Sequence, residues 1–324
     1  GDSDHDANML SAVGIFAPAP FIYFRLDGEA HLVVSDLEIN RVRQQVRHCR
    51  VLSLSNCRKQ LEKKGSKNAG FPEIIRSLLR GHDVKKALVP PNFPLELALE
   101  LEKLKIRVRV KPGPFFPERA LKSPEEVKKI SAALTMAEVG LAEGLQALRT
   151  AKIGHNRRLM YHGVPLTSEK LRAIIDTAII QAGGLANRTV VAGGPQACDP
   201  HEIGHGVLRA NEPIVLDVFP RSQKTGYFGD ITRTVIKGRA SEAVRKLYYT
   251  VQRAQELAFE HLHHQTPGCA VHETVQAFFQ REGYKTGKIH GRMQGFFHGT
   301  GHGLGLEVHE SPRVSANSTD TLLA

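Results

Sequence analysis

Short apolar runs alternate with stretches of helical character over residues 12–110, and this alternation constrains the fold more than any other feature. A polar helix is expected near residues 37–46, and another helix before the apolar run that begins at Ala87. The predicted strands are residues 21–24, 31–34, 87–89 and 106–110. Strands that alternate with helices predict a mixed α/β (α+β) architecture for this part of the chain.

A cluster of prolines with a glycine at residues 111–117 breaks the pattern and predicts a domain boundary. The first domain is placed at residues 1–115 and the second at 116–324. Just past the break, Ser123 as N-cap and Pro124 at the first helical position predict the start of a long helix. The remaining elements expected in the second domain are helices over 241–264 and 271–282 and strands over 189–192, 213–219 and 230–236.

Composition excludes several classes of protein. Lys and Arg number 44 against 33 Asp and Glu, a formal charge of +11. These basic residues are dispersed and Trp is absent, so we interpret them as a solvated surface and predict no nucleic-acid partner. No membrane span or signal peptide is predicted, because neither a long apolar run nor a basic leader occurs. Four scattered cysteines, none in a C-x-x-C pair, favour a reducing location, and we predict a cytoplasmic protein.

Asp217 interrupts an apolar run that is otherwise typical of a buried strand. Burying a carboxylate is costly unless it is paired or metal-bound, and Arg233 is an alternative, purely structural partner. Asp230 is expected to begin the next strand, where Thr232 shares its face. Glycines in the connection are consistent with a hairpin that returns Asp230 beside Asp217.

Three histidines lie among alternating glycines near the end of the chain: His298, His302 and His309. Each glycine would cost about 1 kcal/mol in a helix, so a loop is predicted. Carboxylates and imidazoles together are the ligands of a hydrolytic metal ion, and the five residues therefore predict a metal-dependent site.

A second motif, His201-Glu202-Ile203-Gly204-His205, matches the zinc-protease pattern H-E-x-x-H. That pattern requires a helix, whereas here Pro200 and two glycines surround the motif. We therefore predict no helix and interpret His201 as a loop histidine.

On these motifs, Gly229-Asp230-Ile231-Thr232-Arg233-Thr234 and the stretch from His298 to Gly305 above all, the chain resembles the pita-bread metallopeptidases, and within them the aminopeptidase P and prolidase branch. The resemblance implies a creatinase-like N-terminal α/β domain followed by a pita-bread catalytic domain. It also implies hydrolysis of the bond between an N-terminal residue and proline, and a peptide substrate with proline second. The resemblance also implies that the protein can form a homo-oligomer.

The resemblance further implies a role for each site residue. Asp217 would bind one metal ion, Asp230 would bridge two, and His302 would bind the second. His201 would lie near the scissile amide, and His298 would line the pocket for the residue after the cut. His309 would contact the substrate carbonyl or stabilise the tetrahedral intermediate. Two divalent ions are implied, with Mn²⁺ favoured by the oxygen-rich ligands and Zn²⁺ or Co²⁺ as alternatives.

The family has two further glutamate ligands, and both would lie beyond Ala324. Glu307 and Glu310 do not match those positions and are not predicted to be ligands. We therefore expect a C-terminally truncated form that lacks the last strands of the domain, binds metal weakly and hydrolyses poorly. The alternative hypothesis is a catalytically inactive pita-bread protein that binds peptides or partners; metal-free creatinase chemistry and a zinc protease built on His201 and His205 are less favoured.

Overall fold

The structure, a computed structural model, describes residues 1–66, 69–82 and 84–323. It divides into two compact units, Gly1–Arg119 and Ala120–Ala324. The division falls four residues past the boundary that the sequence predicts after residue 115. Within the described ranges, no helix has the length and apolar character that a membrane crossing requires.

The first unit is an α/β arrangement of two small sheets and their helices. Its elements are α1 (Ala7–Val13), β1 (Ile22–Leu26), β2 (Glu29–Val34), α2 (Ile39–Gln45), β3 (Cys49–Ser53), α3 (Leu54–Lys63), α4 (Phe71–Leu79), β4 (Lys86–Val89), α5 (Leu95–Lys103) and β5 (Arg107–Val110). Strand β2 pairs antiparallel with β1 and parallel with β3, and β4 pairs parallel with β5. Parallel strands need a crossover, which α2 supplies between β2 and β3. The strands and helices predicted from the sequence in this region are all present.

The second unit is also mixed. Its elements are α6 (Pro124–Thr150), β6 (Lys152–Ile153), β7 (Leu159–Tyr161), β8 (Val164–Pro165), α7 (Ser168–Gln181), β9 (Gly184–Leu185), β10 (Val190–Gly193), β11 (Ile214–Val218), β12 (Arg221–Ser222), β13 (Ile231–Val235), α8 (Glu242–Glu260), α9 (Gly268–Arg281), β14 (Gly287–Ile289), β15 (Arg292–Gln294), β16 (Gly301–Gly303) and β17 (Glu310–Val314). Short 3₁₀ turns connect several of them.

Helix α6 begins where the sequence predicts. Ser123 accepts a hydrogen bond from the Glu126 backbone, and the Glu126 side chain returns one to Ser123, which completes a capping box. Helix α7 packs so closely on α6 that a Cβ at Gly144 would lie 2.7 Å from Ile175 Cγ1. Helix α7 was not predicted from the sequence.

The sheet that positions the site has the order β10-β11-β13, and all its pairs are antiparallel. Ile214, Leu216 and Val218 of β11 are fully buried in the core that α6 and α7 cover. The intervening residues of β11 therefore face away from this core. The antiparallel return of β13 beside β11 confirms the predicted pairing.

Helix α8 ends earlier than predicted. It begins after the N-cap Ser241, as the sequence indicates, but stops at Glu260 and not near residue 264. The chain beyond it bonds elsewhere, since the backbone N–H groups of Gln265 and Gly268 donate to the carbonyls of Leu322 and Asp320. Those long-range bonds replace the helical ones and end the helix.

Candidate metal centre

Asp217 lies on β11 with its side chain on the face opposite to Leu216 and Val218. Its cross-strand partner on β13 is Thr232, whose hydroxyl donates a hydrogen bond to the Asp217 carboxylate. Arg233 lies opposite Leu216 in this register. The alternative of an Asp217–Arg233 ion pair is therefore wrong, because the two side chains belong to opposite faces of the sheet.

Asp230 directly precedes β13, which starts one residue later than predicted. By parity it shares a face with Thr232, so it lies diagonally from Asp217 across the strand pair. The approach of this segment to α6 requires glycine at 229, because a Cβ there would lie 2.4 Å from the Ala133 carbonyl oxygen. The contact with α6 thus fixes the backbone that carries Asp230.

His302 lies on β16, whose pairing with β17 is irregular next to it. Its Nδ1 lies 3.0 Å from the Gly303 carbonyl oxygen, so Nδ1 carries the proton and donates. Its Nε2 lies 3.8 Å from Asp230 Oδ2. The His309 ring meets it edge to face, with the centroids 4.4 Å apart. Because Nδ1 of His302 carries the proton in the neutral ring, its Nε2 presents a lone pair toward the Asp230 carboxylate.

The electrostatics of this group reflect two acids held close together. Burial, followed by repulsion from Asp217, raises the pKa of Asp230 to about 6, against the opposing effect of His302. Burial also raises the pKa of Asp217, opposed by its bond from Thr232 and by the two histidines. The pKa of His309 is lowered, first by burial and then by His302. A cation at this position would relieve the repulsion between the carboxylates.

His298 belongs to a neighbouring aromatic cluster. Its ring meets Phe296 edge to face at 4.9 Å, and its Nδ1 lies 2.8 Å from the Gly299 carbonyl oxygen. On the other side, buried His272 stacks on Phe296 at 5.2 Å and contacts the Thr300 hydroxyl at 3.0 Å. Among the described residues, no hydrogen bond, ion pair or ring contact joins His298 to either aspartate.

His201 lies on an exposed turn, and its backbone N–H donates to Asp199 at 2.9 Å. The H-E-x-x-H segment is not helical, as predicted. Gly204 within it has φ of 84° and passes so close to β10 that a Cβ would overlap the Val191 carbonyl. In the parts of the chain that the structure describes, no contact of any of these kinds links His201 to the two aspartates, His302 or His309.

The sequence pattern of metallopeptidase family M24 matches residues 128–324, more than half of the chain. The chain belongs to metallopeptidase family M24. The matched range contains the aspartates and histidines described above.

Relatives of this M24 chain include an uncharacterized peptidase, YqhT, of Bacillus subtilis, 28% identical over 59% of this chain and 57% of that protein. An Xaa-Pro dipeptidase of Lactobacillus helveticus is 28% identical over 60% of this chain and 48% of the dipeptidase. The chain spans about half the length of the curated relatives it matches.

Solved structures agree in fold. The X-Pro aminopeptidase from Thermotoga maritima gives a TM-score of 0.77 at 20% identity, covering 99% of this chain and 82% of that one. Prolidase from Pyrococcus furiosus gives 0.74 at 20% identity, with coverage of 98% and 83%. The predicted mixed α/β, pita-bread fold is thereby confirmed.

The donors of this M24 chain fit a divalent cation in their chemistry. Two carboxylates and an imidazole with a free Nε2 are suitable ligands, and the other ring nitrogen of His302 is held by a carbonyl, as in many metal sites. The spacing of these side chains is wider than that of a formed metal site. Within the residues described, no three His, Cys, Asp or Glu side chains form a group arranged to hold an ion.

Two contacts at or beside this centre were not predicted from the sequence. The sequence predicts that Thr232 shares a strand face with Asp230, but not that it is the hydrogen-bond partner of Asp217. That pairing depends on the register between β11 and β13. Glu310, which the sequence does not predict to be a ligand, has its carboxylate 3.1 Å from Lys122 Nζ. No local pattern indicates that contact, because 188 residues separate the two positions.

Proposed function

We propose that this M24 protein is a metal-dependent exopeptidase that hydrolyses the bond between an N-terminal residue and proline. The observation that supports this most is the half-buried pair of Asp217, on β11, and Asp230, directly before β13, with His302 Nε2 3.8 Å from the Asp230 carboxylate. Relatives named Xaa-Pro dipeptidase, from Lactobacillus helveticus and Pyrococcus furiosus, support the substrate class. The substrate in this proposal is a peptide with proline at its second position.

In this proposal Asp217, Asp230 and His302 would hold two divalent ions, with Asp230 shared between them. Mn²⁺ suits the oxygen-rich donors best, and Zn²⁺ or Co²⁺ are alternatives. When bound, such ions lower the pKa of a water molecule toward neutrality and polarise the peptide carbonyl.

The side chains around the aspartates have separate tasks. Thr232 fixes the orientation of Asp217 through its hydroxyl. His309 is favoured in its neutral form because burial lowers its pKa. Its ring N–H can then donate to the substrate carbonyl oxygen and stabilise the negative charge that develops there. His298 would line the pocket for the proline next to Phe296, and His201 would approach the scissile amide.

Hydrolysis of an Xaa-Pro dipeptide and a longer Xaa-Pro peptide, with and without added Mn²⁺, tests the proposal. We expect cleavage that Mn²⁺ stimulates and that Asp230→Asn abolishes together with bound metal, measured by elemental analysis. Asp27→Asn, on an exposed turn of the first unit, is the matched control and should change neither. A wild-type protein that binds Mn²⁺ but cleaves neither peptide would refute the proposed activity.

A second candidate is an M24 protein that binds peptides without cleaving them. It is favoured by one observation, that the described donors do not form a group arranged to hold an ion. Calorimetric binding of an Xaa-Pro peptide that is unchanged by a chelator, without hydrolysis, would favour this candidate. Cytoplasmic location and homo-oligomeric assembly stay predictions.

A further inference from the structure

A buried ion pair lies next to the candidate metal centre within the second unit. Lys122 Nζ lies 3.1 Å from Glu310 Oε2, and the two side chains are only 15% and 5% exposed. Desolvating two charges is costly, and a buried pair is retained without loss only when its geometry is good and other bonds satisfy it. Such a pair fixes the position of the segments that carry it.

The Glu310 carboxylate lies inside the turn between β16 and β17. Its Oε1 accepts the Glu307 backbone N–H at 3.0 Å. Gly305 passes against its other oxygen so closely that a Cβ would lie 2.5 Å from Oε2. The turn is thus wrapped around this one carboxylate, and it connects His302 to His309.

The lysine is held by α6. Lys122 directly precedes Ser123, the N-cap of that helix, and the capping glutamate Glu126 also accepts a hydrogen bond from Tyr227 at 2.8 Å. The same helix meets Gly229, next to Asp230. One helix therefore braces both halves of the centre: the aspartate half through Gly229 and the histidine half through the ion pair. Lys122 lies outside the family match, which begins at residue 128.

We propose that Lys122 and Glu310 are a positioning pair that sets the His309 ring against His302 and acts on hydrolysis through His309, without touching the substrate. The effect on rate rests on the proposed function. The effect on the arrangement of the His302 and His309 rings does not depend on the proposed function. The rate and the ring arrangement can be measured separately.

The kinetic test compares Lys122→Met, Lys122→Arg and Glu310→Gln in the Mn²⁺-loaded protein. We expect Lys122→Met and Glu310→Gln to lower kcat for an Xaa-Pro peptide by about 10–100-fold, the range found when residues that orient the side chains of a metal site are removed. KM and bound metal should change little, and Lys122→Arg should recover part of the rate because it keeps the charge. Arg253→Met, which removes an exposed cation paired with Glu256 and Glu260 on α8, is the matched control and should leave the rate unchanged.

Histidine-ring NMR of the metal-free protein supplies the second readout, with the His302 and His309 signals assigned by their loss in His302→Gln and His309→Gln. We expect Lys122→Met to shift the His302 and His309 ring signals and to leave His48 of the first unit, bonded to the Ala12 carbonyl, unchanged. If wild type shows no Xaa-Pro cleavage, the proposed function fails and this spectrum still decides on the pair.

Unchanged ring signals, with a lower melting temperature and a normal kcat per folded molecule, would overturn the proposal and leave the pair a purely structural contact. If Lys122→Met does not fold, Glu310→Gln decides alone. That substitution preserves the size of the side chain and its acceptor for Glu307.

Discussion

At the residue scale, Asp230 stabilises the metal-free protein only while it is protonated. Its pKa is raised from 3.8 to about 6 in the folded chain. Between these values the folded state binds more protons than the unfolded state, so the stabilising contribution is complete below about pH 4 and is lost as the pH rises through about 6. Above about pH 6, the ionised Asp230 thus lowers the stability of the metal-free protein at the position where a cation is expected.

Asp230→Asn should therefore raise the free energy of unfolding of the metal-free protein near pH 7, by on the order of 2 kcal/mol. The same variant should flatten the stability profile between about pH 4 and about pH 7. Urea unfolding in the presence of a chelator measures both effects. Glu96→Gln, at an exposed position of α5, is the control and should leave the profile as in wild type. Equal profiles for Asp230→Asn and wild type would show that neither burial nor Asp217 raises the pKa of Asp230.

At the element scale, the close contact of α6 with α7 predicts that Gly144→Ala changes stability in opposite directions in wild type and in an Ile175→Ala variant. Gly144→Ala gains about 1 kcal/mol of helix propensity. Its new methyl would lie 2.7 Å from Ile175 Cγ1, and overpacking costs about 1–3 kcal/mol. We expect net destabilisation of about 1 kcal/mol in wild type, but stabilisation in an Ile175→Ala background, where the obstructing atoms are absent. Denaturant unfolding of the four proteins tests this, and the same sign in both backgrounds would contradict it.

The elements that sequence predicted are those with local causes. The capping box at Ser123 and the N-cap at Ser241 both begin helices where expected, and the apolar run around Asp217 indicated a strand. The partner of Asp217 depended on register, which one sequence does not determine, so Arg233 and Thr232 could not be separated. The strand that carries His302 could not be predicted, because its glycine-rich sequence has no periodicity and it forms only by pairing with β17.

At the scale of the whole molecule, the candidate centre is assembled from three separate stretches of the second unit: β11, the start of β13, and the turn between β16 and β17. Sequence alone identified the aspartates and histidines by type, and the resemblance assigned their roles. The contacts that hold the stretches together are long-range, such as the bond from Phe228 N–H to the Gly305 carbonyl at 2.8 Å. Such contacts have no counterpart in a local pattern.

Metal binding should therefore tighten these three stretches together and leave the first unit unaffected. Mn²⁺ at 100 times its Kd adds about 2.7 kcal/mol to the stability of whatever folds around it. Hydrogen exchange followed by mass spectrometry should show slower exchange on Mn²⁺ addition in peptides covering residues 214–218, 231–235 and 301–310, with peptides covering β1 to β3 unchanged. Asp230→Asn should remove the effect and Asp27→Asn should retain it. Protection confined to one of the three stretches would show that Asp217, Asp230 and His302 do not hold the proposed pair of ions together, because bound ions must restrain every segment that supplies a ligand.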